Sequence, residues 1–175
     1  ADGGNFRLLS DLCDQLLADD RIGACFETRI GGLLGLPITF EPSGDGRKRN
    51  RAVKALEADE DWWTLFPEDE LTQLLTWGRL AGFSWAQLVY QDENGKPLVN
   101  EAGRLTPRAE FWHPQHFRFD QVERKWFVKK RDASGNALGA EEEAVPGDGQ
   151  WILYTPNGRF RPWAHGLWRG LSRWW

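Results

Sequence analysis

The hydrophobic period of this chain changes at residue 84, and that change limits the folds open to it. Upstream, apolar residues recur every three or four positions, as on one face of a helix; downstream they alternate, as on one face of a strand. Leu9, Leu12, Cys13, Leu16 and Leu17 share one face of a helix predicted over 6–19. Asp11 and Asp14 lie near its first turns, where negative charge meets the positive end of the dipole. A second helix fits 20–34, with Ile22, Phe26, Ile30 and Leu33 in line. Gly31, Gly32 and Gly35 weaken it and Pro37 ends it. Ile38–Glu41 reads as a short strand and Ser43–Gly46 as a loop. The helix expected over 47–60 starts with Arg47, Lys48, Arg49, Arg51 and Lys54 and ends in Glu57, Asp59 and Glu60. That polarity opposes the dipole at both ends, so the segment is either mobile or held by neighbours. Pro67, followed by Glu68, Asp69 and Glu70, opens a helix running to about residue 82, with Leu71, Leu74, Leu75 and Trp77 turned inward.

Beyond residue 84, Trp85, Gln87 and Val89 alternate with Ala86, Leu88 and Tyr90. Glu93-Asn94-Gly95-Lys96 is a hairpin signal, because Asn-Gly accepts positive φ at both central positions. Further strands are predicted at 109–113, 116–120, 125–131 and 150–155, with turns at 132–136 and 146–149. Pro162 stands near the start of a final helix over 162–175. Helices, then strands, then a helix mean an α+β fold. The expected arrangement is N-terminal helices packed on an antiparallel, hairpin-rich sheet, with a C-terminal helix leading away. A length of 175 residues suits a single domain, mainly helical over 1–83, mainly strands over 84–161 and helical over 162–175.

Eleven tryptophans, five of them in the last 25 residues, need burial somewhere. Each buried aromatic contributes roughly 2–3 kcal/mol. Trp174 and Trp175 end the chain and would leave an apolar surface in water. They imply either a partner that covers them or a chain cut from something longer; the absence of Met also reads as a fragment or a processed product. No apolar run approaches the ~20 residues of a membrane span, and the start lacks the pattern of a signal peptide. Cys13 and Cys25 lie in apolar helical patterns and read as buried free thiols, which suits a reducing cytoplasm. The net charge of −4 argues against a protein that grips duplex DNA through its phosphates, although not against a surface that lets DNA pass.

Catalytic signatures are sparse, and the sequence assigns no catalytic, cofactor-binding or metal-binding residue. Neither a dinucleotide loop nor a Walker A sequence is present. Ser172 lacks the second glycine of a nucleophile elbow. His113 and His116 flank Pro114-Gln115, which suits a turn between strands better than a zinc site. His165 reads as a surface or capping residue. Glu141, Glu142 and Glu143 read as an acidic loop, and the basic run Arg47–Arg51 as part of a self-neutralising helix. The C-terminal segment stands out. Arg159, Arg161, Arg169 and Arg173 form a cationic set, candidates for facing a polyanion. Trp163, Leu167, Trp168, Leu171, Trp174 and Trp175 form a broad apolar face, read either as an ordinary buried helix of this domain or as a candidate subunit interface.

Taken in order, these blocks resemble phage portal proteins, most closely the Mu-like portal family. The resemblance runs from Asp20-Arg21-Ile22 through Leu34-Gly35-Leu36-Pro37, then to Gly82-Phe83-Ser84-Trp85-Ala86-Gln87-Leu88-Val89-Tyr90. It continues through Trp112-His113-Pro114-Gln115-His116-Phe117-Arg118-Phe119-Asp120, Trp151-Ile152-Leu153-Tyr154 and Pro162 to Arg169. It implies the wing region and the start of the stem, without the clip and channel helices of the family. It further implies a structural, non-enzymatic subunit of a ring, usually dodecameric, at a capsid vertex. Terminase and head-completion proteins would dock there, and double-stranded DNA would pass without sequence-specific binding. The expected location is the virion, with assembly in the bacterial cytoplasm; neither cofactor nor membrane is implied. Two other readings stand beside it: a tryptophan-rich module binding glycans or other ligands, and a small hydrolase whose carboxylates or histidines converge only in the fold.

Overall fold

The computed structural model describes residues 5–36, 61–100, 103–131, 137–158 and 161–172. The strand expected at 38–41, the loop at 43–46, the helix at 47–60 and the turn at 132–136 lie outside the described residues.

Helix α1 spans Arg7–Leu17 and buries Leu9, Cys13 and Leu16, as its period predicts. Helix α2 spans Asp20–Leu34 and begins at a side-chain cap. The Asp19 carboxylate accepts from the backbone N–H of Arg21 at 3.0 Å and of Ile22 at 3.1 Å, satisfying two donors that a helix start leaves open. A short helix α3 (Asp61–Leu65) precedes α4 (Glu68–Leu80). Helix α4 has three acids in its first turn and Arg79 in its last, charges that both complement its dipole.

Six strands follow: β1 (Ser84–Val89), β2 (Arg108–Trp112), β3 (Phe117–Asp120), β4 (Lys125–Arg131), β5 (Ala137–Glu143) and β6 (Trp151–Tyr154). They form two antiparallel three-stranded sheets, ordered β2-β1-β6 and β3-β4-β5. The fold is α+β, as the order of periods implied. In the first sheet Trp85 pairs with Trp112 on one side and Leu153 on the other. Successive strand residues face opposite ways, and β1 is covered on both faces. Trp85 enters the main core with Phe6, Phe83, Phe117, Trp126, Trp151 and Trp163. Ala86 enters a smaller cluster with Ala109, Leu71 and Leu74 beneath α4. Two alanines on that face leave room for the helix. Ser84 is also buried and donates its Oγ hydrogen to the carbonyl of Leu74 at 2.5 Å. The Glu70 carboxylate accepts from the N–H of Phe111 at 2.6 Å, tying the start of α4 to β2.

Three sequence expectations change. Glu141–Glu143 belong to an edge strand, β5, rather than an acidic loop. Three acids in a row carry no alternation to mark a strand; it forms because β4 offers it an edge. The Asn94-Gly95 turn is present, but the chain around it makes isolated bridges, Gln91 to Pro97 and Val99 to Leu105, instead of a continuous ladder. The C-terminal helix is broken. A 3-10 turn covers Pro162–His165, Gly166 is extended (ψ 148°), and among the described residues of this segment only Trp168–Leu171 is α-helical (α5). The break is a docking requirement. A Cβ on Gly166 would stand 2.5 Å from the Leu80 oxygen and the Ala81 carbonyl carbon, so only glycine allows this close approach. The N–H of Leu167 then donates to the carbonyl of Arg79 at 3.1 Å. Among the described residues, no helix is long and apolar enough to cross a membrane.

Candidate interaction surface

Most of the described tryptophans serve the core. Trp77, Trp85, Trp126, Trp151 and Trp163 are buried. Trp85 stacks on Phe117 at 4.9 Å and 8°, and Trp163 lies 5.1 Å from Phe6 and 5.9 Å from Trp126. These rings are therefore closed to a flat sugar-binding platform. Trp163, expected at a subunit interface, is only 1% exposed and holds the C-terminal segment to its own chain. Trp168 is half-buried and donates its indole N–H to the carbonyl of Trp163 at 3.0 Å. Leu167 is exposed and Leu171 half-buried. Arg161 and Arg169 are exposed, and the Arg169 guanidinium lies 4.8 Å from the Trp168 ring centre. Arg159, Arg173, Trp174 and Trp175 lie outside the described residues.

A histidine and a carboxylate come together where β2 meets α1. His113 Nε2 lies 3.4 Å from Asp14 Oδ2, and the imidazole meets the edge of Trp77 at 4.4 Å. Its Nδ1 accepts from the N–H of Gln115 at 3.4 Å, capping the 3-10 turn at Pro114–His116. Burial lowers the His113 pKa below the ordinary 6.5, against the opposing pull of Asp14 and Asp11. Both ring nitrogens are thus engaged in joining β2 and the 3-10 turn to α1. Other carboxylates cap turns: Asp120 accepts from Val122 and Glu123, and Asp148 from Gln150 and Trp151. Among the described residues, no group of three or more His, Cys, Asp and Glu could hold a metal ion.

Both cysteines are free. Cys13 is buried, and desolvation, with the Asp14 charge adding to it, pushes its thiol up to about 12. Cys25, expected to be buried, is exposed instead. It lines a groove of about 800 Å³ between α2, α4, β6 and the C-terminal segment. The floor is apolar: Ile22, Phe26, Ile30 and Leu33 from α2 meet Leu75 from α4 and Leu171 from α5. Leu167 and Tyr154 complete it. Every charged residue on the lining is basic, namely Arg21, Arg29 and Arg79. The α2 face that reads as core in the sequence is covered only in part: Ile30 is buried and Ile22 and Phe26 pack against the main core, whereas Leu33 is 50% exposed in the groove. The rim has a legible signal that the apolar period hides: Arg21, Cys25 and Arg29 recur every four residues beside the apolar stripe.

The groove takes in Leu167 and Leu171, two members of the C-terminal apolar set. A chain surface of this kind, apolar below and cationic above, suits a protein partner better than a small polar substrate. A family model described as the portal protein of Mu bacteriophage matches residues 10–175. Comparison with curated proteins returned no match.

Proposed function

We propose, from the premise that this chain belongs to the portal-protein family of Mu bacteriophage, that it is a subunit of the ring through which DNA enters and leaves the phage head. The family makes it a structural component of the virion; ring assembly and DNA passage are the proposal. The observation that carries it is the match over residues 10–175, nearly the whole chain. Charge supports it. A net charge of −4 suits a conduit, since dense phosphate contacts would hold DNA in place. Leu167, Trp168 and Leu171, with Trp174 and Trp175 next along the chain, are the proposed start of a stem against neighbouring subunits. Arg159, Arg161, Arg169 and Arg173 are the proposed cations beside the passing polyanion. In this reading the ring is dodecameric, assembles in the host cytoplasm, and is met by terminase and then by head-completion proteins.

Electron microscopy and native mass spectrometry of the purified full-length gene product test the reading. Closed rings with an axial channel are expected. Monomers alone under assembly conditions would refute it.

A further inference from the structure

The groove lined by Cys25 has a chemistry that selects its occupant. Its floor needs apolar side chains and its rim needs carboxylates. Arg21, Arg29 and Arg79 line it, and among the described residues their guanidinium groups form no ion pair. Three clustered cations stand out in a chain of net charge −4; a second copy of that chain is a rich source of the opposite sign.

The same molecule carries a matching surface elsewhere. Strand β5 is the edge of its sheet, with β4 on one side only among the described strands, so its other side offers backbone N–H and C=O groups for pairing. Leu138 is 53% exposed and Glu142 is exposed too; across a shift in register, Leu138 pairs with Lys130 and Glu142 with Val128, two residues apart on β4, which puts both on one face. Glu141 and Glu143 are engaged, with Arg118 at 2.9 Å and Lys125 at 3.0 Å. Glu142 has no cation partner among the described residues. An exposed leucine, a strand edge and an uncompensated carboxylate are what the groove lacks.

We infer that the groove of one subunit receives the β5 edge of the next, with Leu138 on the apolar floor and Glu142 at the Arg21–Arg29 rim. The inference rests on the portal reading and adds which faces meet. The two faces share no residue: the lining comes from α2, α4, β6 and the C-terminal segment, and includes nothing from β3, β4 or β5. Joining two different patches is a heterologous contact, and such contacts propagate into rings when the rotation closes. A twofold contact of the groove with itself would instead bring like charges together.

The native thiols allow a direct test. Cys25 is exposed and Cys13 is buried, so a Glu142→Cys variant of the full-length gene product presents one groove thiol and one β5 thiol. Mild oxidation of the assembled variant should give a disulfide ladder of dimers, trimers and larger species. Mass spectrometry should then find Cys25 peptides joined to peptides carrying the thiol introduced at position 142. Separately, Arg29→Glu should raise the concentration needed for assembly about tenfold or more, equivalent to ~1.4 kcal/mol, and Glu142→Arg in the same chain should restore it. Rings that form without that intersubunit link, and that are indifferent to Arg29→Glu, would overturn this contact and leave the ring reading intact. A Cys25–Cys25 dimer as the sole product would also overturn it. Absence of both rings and links would overturn the contact together with the portal reading.

Discussion

Gly82 is the point where the C-terminal segment is pinned to α4, and Gly82→Ala tests that joint. Gly82 has φ +92°, and a Cβ there would fall on the carbonyl oxygen of Pro162 and within 3.0 Å of Gly166 N. Two penalties follow. A side chain at positive φ costs roughly 1–2 kcal/mol. An added carbon in a packed site costs roughly 1–3 kcal/mol. The atoms it would meet belong to the backbone, so no flexible side chain can give way. The expected loss is about 2–5 kcal/mol, which for a chain of this size lowers Tm by roughly 5–20 °C. Gly31→Ala is the control. Gly31 lies in α2 with nothing within 4 Å of its added Cβ, so alanine should stabilise by about 0.5–1 kcal/mol. Thermal unfolding followed by circular dichroism and tryptophan fluorescence reads both. Equal melting temperatures for Gly82→Ala and the parent would refute the close contact between Gly82 and Pro162.

Three further outcomes can be measured. Glu70→Ala should destabilise the chain by about 1.5–3 kcal/mol in urea unfolding, because it leaves the Phe111 N–H without its charged acceptor; Glu70→Gln should lose less. His113 has a folded pKa lowered by burial, so its neutral form is favoured in the fold. Its contribution is fully present above the ordinary value of 6.5 and is lost as pH falls through the lowered folded value; His113→Gln should flatten the stability profile over that window. A thiol reagent at neutral pH should modify Cys25 quickly and Cys13 only on unfolding, since the latter is buried and its pKa raised to about 12. Equal rates at the two thiols would contradict the burial of Cys13.

Legibility along the chain follows how local each cause is. Helices α1, α2 and α4 are readable because their apolar spacing lies within a few residues, and α4 adds start signals in Pro67 and the acids of its first turn, whereas α1 has no acid in its first turn. The buried wall of α1 and the partly open wall of α2 look alike in sequence, since both carry apolar residues at helical spacing. Only the neighbours differ: α1 sits under Phe6 and the main core, whereas much of α2 faces the groove. The tryptophans are likewise ambiguous. Trp163 and Trp168 share one apolar pattern, yet the first is sealed in the core and the second is half-buried on its rim. The groove itself is not legible as a site, because its lining comes from four places in the chain.

By itself the sequence determined the class of fold. A helical period up to residue 83 and an alternating one after it admit few arrangements other than helices on antiparallel sheet. Local spacing decides such features, because each helix or strand face needs only its own residues to be amphipathic. Tertiary structure decided the rest. Strand β5 exists because β4 leaves an edge to be paired. The final helix breaks because Gly166 must lie against the backbone of Leu80 and Ala81. The groove opens because α2, α4 and the C-terminal segment meet without filling the space between them. Each depends on backbone and side chains distant in sequence coming within contact range, which no local period encodes.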